Sequence, residues 1–248
     1  MSFLPTSKKE MQELGWNQAD IILISGDAYV DHPSFAAAII GRYLESCGYK
    51  VAIIPQPDIN LKEDFTKLGE PRLFFGVTSG NMDSMVNHYT AQNRIRTDDA
   101  YSPEGKAGLR PNRAVMIYTQ KLKTYFKKTP IVIGGIESSL RRIPHYDYWT
   151  NSVKNSVLID CKADILVYGS GENQIKEIAQ RIENKQSLEN IKGTVIISNT
   201  KPDQSVDLPE FKLVKEKHDY FQMMKKFYDN YQNNTLVIPH LNRFLVHY

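Results

Sequence analysis

The chain has 248 residues, 41% of them hydrophobic, which is enough for one large domain or a domain with extensions. A formal charge of +3 is too small to argue for nucleic acid or an anionic membrane surface as partner. The longest uninterrupted apolar run, residues 35–40, is far too short to span a bilayer, and the N-terminus lacks the charged-then-apolar order of a signal peptide, so a cytoplasmic location is expected.

The two cysteines, Cys47 and Cys161, belong to no Cys-x-x-Cys or Cys/His cluster, so spacing points to no zinc or iron–sulfur site and to no disulfide framework. Cys47 falls on the apolar face of an expected helix, the place of a buried, inert thiol.

In chain order, Ser7-Lys-Lys-Glu10 has capping-box spacing and opens a short helix that Gly15 can close. Asp20-Ile-Ile-Leu-Ile-Ser25 is apolar on both faces, as buried parallel strands are. A polar loop, Gly26-Asp-Ala-Tyr-Val-Asp-His-Pro-Ser34, leads into a helix marked by Phe35, Ile39, Ile40, Tyr43, Leu44 and Cys47, with Pro33 in its first turn. A second strand at residues 49–55 completes a βαβ unit. A third strand, Leu73-Phe-Phe-Gly-Val77, runs into Thr78-Ser-Gly-Asn-Met-Asp-Ser84, after which no period is evident up to Asn112. Residues 80–113 are therefore expected to be a long loop insertion.

A helical face at Val115, Tyr118, Leu122, Tyr125 and Phe126 precedes the strand Ile131-Val-Ile133, which stops at Gly134-Gly135. Pro144-His-Tyr-Asp-Tyr-Trp149 is dense in aromatics, which could stack on a planar ligand or belong to core or interface. Asp164-Ile-Leu-Val-Tyr168 is a fifth strand ending in Gly169-Ser-Gly-Glu172, and a helix follows. Gly193-Thr-Val-Ile-Ile-Ser198 is expected as a sixth strand at a sheet edge, then an irregular stretch and an amphipathic helix over residues 221–231. Strands alternating with helices give a doubly wound, mostly parallel, Rossmann-like α/β sheet with helices on both faces. The expected division is a helical extension at residues 1–18, the α/β domain at 19–235, and a tail from 236 to 248 that could hold a short strand or two.

Four strand ends carry glycine-rich or acidic polar loops, and open α/β sheets bind ligands just beyond the carboxyl ends of their strands. The residues these loops offer to a shared groove are Asp27, Asp31, His32, Thr78, Ser79, Asn81, Gly134, Gly135, Glu137, Arg141, Arg142 and Glu172. Asp31-His32 reads either as an acid–base or ligand pair, or as a cap in which Asp31 and Ser34 hold the helix start. Arg141-Arg142 could clamp a phosphate or carboxylate, or lie on an exposed face paired with Asp147 or Glu137. The dinucleotide fingerprint lacks its third glycine, no Gly-x4-Gly-Lys-Ser/Thr loop occurs, and no Gly-x-Ser-x-Gly elbow is present.

Taken together, several long motifs in order resemble the N-terminal region of YgiQ-type radical SAM proteins. They are Phe3-Leu-Pro-Thr-Ser7, Ser25-Gly-Asp-Ala-Tyr-Val-Asp-His-Pro-Ser-Phe35, Gly76-Val-Thr-Ser-Gly-Asn-Met-Asp-Ser-Met85, Asp98-Asp-Ala-Tyr-Ser-Pro-Glu-Gly-Lys-Ala-Gly108, Ile133-Gly-Gly-Ile-Glu-Ser-Ser-Leu-Arg-Arg142, His145-Tyr-Asp-Tyr-Trp149 and Asp164-Ile-Leu-Val-Tyr-Gly169.

The resemblance implies a cobalamin-binding-like domain that precedes a radical SAM core. That core would carry a 4Fe-4S cluster on a Cys-x3-Cys-x2-Cys loop and use S-adenosylmethionine, and residues 236–248 would begin the link to it. No such cysteine loop occurs in this chain, so no metal site is expected here. The cobalt-ligating Asp-x-His-x-x-Gly is also missing, because His32 directly follows Asp31 and Phe35 stands in the place of glycine, which weighs against cobalamin coordination.

The implied partners are the radical SAM core and a small-molecule substrate, and the chain alone is not expected to be catalytic. A competing expectation is a stand-alone small-molecule or nucleotide-binding protein or enzyme that uses the strand-end groove of Asp27, Asp31, His32, Glu137 and Arg142, in which general acid–base work would fall to a carboxylate or the histidine. A third is a pure docking domain that binds the rest of the enzyme through its aromatic C-terminal helix.

Overall fold

Two hydrophobic layers sit on either side of one nine-stranded sheet in the computed structural model, which describes residues 3–248. The strands are β1 (Ile21–Ser25), β2 (Val51–Pro55), β3 (Phe74–Thr78), β4 (Ile131–Ile133), β5 (His145–Asp147), β6 (Ser152–Lys154), β7 (Ile165–Val167), β8 (Thr194–Ser198), β9 (Ser205–Asp207), β10 (Thr235–His240) and β11 (Arg243–His247). The helices are α1 (Lys8–Glu13), α2 (Ala36–Ser46), α3 (Lys62–Thr66), α4 (Ser84–His88), α5 (Ala114–Tyr125), α6 (Gly135–Leu140), α7 (Val157–Cys161), α8 (Glu172–Glu183) and α9 (Lys217–Asn230). Among the described residues no helix is long and apolar enough to cross a membrane.

The sheet order is β2-β1-β3-β4-β7-β8-β11-β10-β9, and β5 pairs with β6 in a separate hairpin. The first five strands are parallel, in the 2-1-3-4-5 order of flavodoxin-like sheets. Successive side chains on a strand point to opposite faces, so each of these strands feeds both layers. Ile21, Leu23, Val51, Ile53, Phe74 and Val132 pack under α2 and α8. Ile22, Ile24, Ala52, Ile54, Phe75 and Ile133 pack under α3, α5, α7 and α9.

Four expectations need correction. Residues 194–198 are an interior strand, because β11 pairs antiparallel on the far side of β8 from β7. Residues 236–248 do not begin a linker. They form the hairpin β10–β11, whose Leu236, Val237, Ile238, Leu245 and Val246 are buried. Helix α2 starts at Ala36 and not at Pro33, and neither Asp31 nor Ser34 caps it. Cys47 lies one residue past that helix, half-buried, and not on the buried face of Ala37, Ala38, Gly41 and Leu44.

The helix expected near the N-terminus forms with its capping box intact, Ser7 accepting from the Glu10 amide and the Glu10 carboxylate accepting from the Ser7 amide at 2.9 Å. The segment around it does more than extend the chain. The Pro5 carbonyl accepts from Ile53 N at 2.9 Å, and Leu4 is buried, so the segment covers the outer edge of β2. A covered edge is unavailable for strand addition.

Candidate functional site

Glycine allows the ends of β1 and β3 to interlock. A Cβ on Gly26 would stand 2.1 Å from the Ser79 carbonyl oxygen, and one on Gly80, whose φ is +98°, would stand 2.0 Å from Asp27 Oδ1. Both glycines serve a close approach of protein to protein.

Into this joint comes Arg110, fully buried, from the far end of the period-less segment. Its Nη1 donates to the Ser79 carbonyl at 2.8 Å, and its Nη2 lies 2.9 Å from Asp27 and 3.2 Å from Asp99. Burial pushes the Asp27 carboxyl up, against the pull of Arg110. Asp99 is held below the usual carboxylate range: burial would raise it, but Asn87, Ser102, the Tyr101 amide and Arg110 together outweigh that. Asn81 completes the joint. Its amide donates to Asp27 at 2.7 Å, and its side-chain oxygen accepts from Ala36 N at 3.2 Å, capping α2 from another loop.

Residues 80–113 are thus a clamped segment containing α4, a short 3₁₀ turn and the Asp98–Lys106 bridge. The Arg110 clamp is a feature that the sequence does not reveal, since nothing local distinguishes this arginine from Arg94, Arg96 or Arg113.

On the other face, a crevice of about 220 Å³ opens at the carboxyl ends of β1, β3, β4 and β7. Its floor and sides are apolar, from Leu23, Ile39, Ile40, Val167 and Ile175 on or beside α2 and α8. Thr78, Gly134, Gly135 and Glu172 line its rim, the four expected groove residues that the fold does bring together. Gly135 has φ +82°, and a Cβ there would meet Thr78 Oγ1 at 2.5 Å, so the turn into α6 requires glycine.

The other eight residues lie elsewhere. Asp27, Ser79 and Asn81 are consumed by the joint just described. Asp31 is ion-paired with Arg42 of α2, and His32 Nδ1 sits 2.5 Å from Ser34 Oγ, on a separate shallow cleft. Competition from these partners is why Asp31 and Ser34 do not cap the helix.

Glu137 points inward and is 1% exposed. Its carboxylate accepts from Ser84 N at 2.9 Å, Ser84 Oγ at 2.5 Å and Val115 N at 3.1 Å, so it staples the starts of α4 and α5. Burial, aided by the charge of Asp83, pushes this carboxyl up. Arg141 is ion-paired with Asp83. Arg142 lines a further cleft, bounded by the β5–β6 hairpin and α9, with Tyr146, Tyr148 and Trp149 of the aromatic stretch. Asp27, Asp31, His32, Glu137 and Arg142 therefore do not share one groove.

A family model described as Radical SAM N-terminal matches residues 3–248. The chain belongs to that family. Among curated relatives, a UPF0313 protein of Pseudomonas syringae pv. tomato is 58% identical over 203 residues, covering 81% of this chain and 26% of the relative. A UPF0313 protein of Thermotoga neapolitana is 46% identical over 251 residues, covering 98% of this chain and 44% of the relative. This radical SAM N-terminal chain therefore spans less than half the length of these relatives.

Among solved structures, the radical S-adenosylmethionine methyltransferase TsrM from Kitasatospora setae, with cobalamin and a 4Fe-4S cluster bound, is similar at a TM-score of 0.47. That match has 16% identity and covers 74% of this chain and 28% of TsrM. A second TsrM structure, with tryptophan substrate and an S-adenosylmethionine analogue, gives a TM-score of 0.46.

The residues of this radical SAM N-terminal chain do not fit a cluster. Cys161 is buried beneath α5, where burial pushes its thiol up to about 12, and a thiolate is the ligand form. Among the described residues no group of three His, Cys, Asp or Glu side chains could hold a metal ion.

Proposed function

We propose that this chain is the substrate- or cofactor-side domain of a larger radical SAM iron–sulfur enzyme, and that the apolar crevice at its strand ends receives part of a ligand handled together with a separate core. The observation that carries this reading is the family match over residues 3–248 in a chain that covers 26–44% of its relatives. The crevice lies over the β1/β3 switch point, where open sheets of this order bind ligands, and its rim is glycine-rich backbone. In this reading the core supplies the cluster and the bound S-adenosylmethionine, and no residue of this chain ligates either.

Anaerobic reconstitution with iron and sulfide tests the division of labour. The full-length protein is expected to take up a 4Fe-4S cluster and to cleave S-adenosylmethionine reductively, and the 248-residue chain alone to do neither. Cleavage by the chain alone would overturn the proposal. A thermal-shift comparison of cobalamins, S-adenosylmethionine and nucleotides, repeated with Ile40→Arg to fill the crevice, identifies which ligand the crevice accepts.

A further inference from the structure

Arg142 is the exception among the inward-facing arginines. Arg42, Arg110, Arg113, Arg141 and Arg181 are buried or half-buried, and each is ion-paired: with Asp31, with Asp27 and Asp99, with Asp147, with Asp83 and with Glu177. A guanidinium taken out of water without a compensating charge is costly, so such pairing is the rule. Arg142 has no carboxylate partner among the described residues.

Its contacts are neutral. Nε lies 3.1 Å from His247 Nε2, Nη1 donates to the Ser139 carbonyl at 2.6 Å, and the guanidinium lies 5.0 Å and 5.1 Å from the ring centres of Tyr168 and Phe227. His247 is held neutral, because burial, followed by the charge of Arg142, lowers its imidazole to about 3, so it can accept from Arg142 without repelling it. The cation is therefore fixed in place, partly desolvated and not neutralised.

One edge remains free. Nη2 makes no hydrogen bond among the described residues and is not sealed from solvent. The cleft that Arg142 lines has a volume of about 350 Å³, within the range of small-molecule sites. Its walls carry Tyr146, Tyr148 and Tyr228, between 49% and 63% exposed, a concentration of uncovered aromatic surface that calls for an occupant. Tyr220 Oη accepts from Tyr146 N at 3.0 Å and ties α9 to the hairpin. The carboxylates on the cleft, Asp83 and Asp147, are already committed to Arg141 and Arg113, and burial keeps His145 neutral by lowering it to about 4. Arg142 is thus the one charged residue on the cleft without a charged partner.

We propose that this cleft is an anion-binding site in which Arg142 holds a carboxylate or phosphate while Tyr146, Tyr148 and Tyr228 flank an attached planar or apolar group. A guanidinium held by neutral partners is pre-organised for such a group and loses little freedom on binding it. The site shares no lining residue with the apolar crevice and does not depend on the crevice being used.

NMR titration of the 248-residue chain with phenylacetate, phenyl phosphate and phenethylamine tests it. The Arg142 Nε–Hε signal is expected to move with one or both anions, the tighter identifying the head group, and to ignore phenethylamine, which has the same ring and opposite charge. Arg142→Met is expected to weaken the anion at least about tenfold, and Tyr228→Ser to weaken phenylacetate while leaving acetate unchanged. An Nε–Hε signal that stays fixed with both anions, equal response to phenethylamine, or unchanged affinity in Arg142→Met would each overturn the proposal. If Arg142→Met fails to fold, the wild-type Nε–Hε titration decides alone.

Discussion

At the scale of single residues, the buried titratable groups divide by sign. Burial lowers the imidazoles of His145 to about 4 and His247 to about 3. As pH falls below about 6.5, the unfolded chain binds protons that these folded imidazoles refuse, so their contribution to stability is full above about 6.5 and is lost towards pH 4. For His145 the loss approaches about 3 kcal/mol at the acid end of that window. Glu137 and Asp27, both raised by burial, act in the opposite sense, since the folded protein takes up their protons first. A global melting curve sums these effects, and a site-resolved titration separates them. In long-range ¹H–¹⁵N spectra, two of the six histidines are expected to stay flat from about pH 8 to pH 5. Titration of either near its ordinary value would show that its imidazole is solvated, and for His247 it would also mean that Arg142 lacks the neutral partner described above.

At the scale of elements, the segment from Gly80 to Arg113 shows how a stretch with no hydrophobic period can still be ordered. Its order comes from polar groups of distant origin. Asp27 at the end of β1, Ser79 beyond β3 and Asp99 in the segment meet on one guanidinium from Arg110. None of these partners is visible in sequence spacing, because the contact joins residues up to 83 positions apart and uses side chains common in any loop (Asp27 to Arg110).

The same physics explains why only part of the candidate site was legible. Glycine-rich strand ends do mark the carboxyl side of the sheet, yet Gly26 and Gly80 are there to let two loops touch. Gly134 and Gly135 do face the crevice. Removing the clamp leaves two buried carboxylates without their counter-ion, so Arg110→Met is expected to cost about 3–5 kcal/mol. It is also expected to expose Arg94 and Arg96 to faster tryptic cleavage. Converting Asp99 to Asn in the same protein should recover part of the loss. An unchanged melting temperature and cleavage pattern would mean that the segment is held by its backbone contacts alone.

At the scale of the whole molecule, the parallel half of the sheet is readable in the sequence, whereas in the antiparallel half β8 is readable as a strand but its pairing with β11 is not. The parallel strands are apolar on both faces and lie between helices, a pattern that sequence displays directly. The hairpin β10–β11 hid itself because its two-residue turn is Leu241-Asn242, with Leu241 at φ +53° and 82% exposed, in place of the Asn-Gly or Asp-Gly that announces such turns. Without that turn signal β8 reads as an edge strand, and the linker reading of the tail rests on the family resemblance alone.

The misplacement has a measurable consequence. β11 stands between β8 and β10, and the hairpin buries Leu236, Val237, Ile238, Leu245 and Val246. At about 1.5–3 kcal/mol each, these side chains contribute on the order of 10 kcal/mol, which matches the roughly 5–15 kcal/mol of net stability of a typical domain. Truncation after Asn234 would also strip β8 of β11, leaving it paired with β7 alone, and leave β9 without β10. The shortened chain is expected to lose its cooperative thermal transition and near-ultraviolet signal, while a control lacking only Tyr248 keeps both. A truncated protein melting within a few degrees of the intact chain would restore the linker assignment and place the boundary of the folded unit before β10.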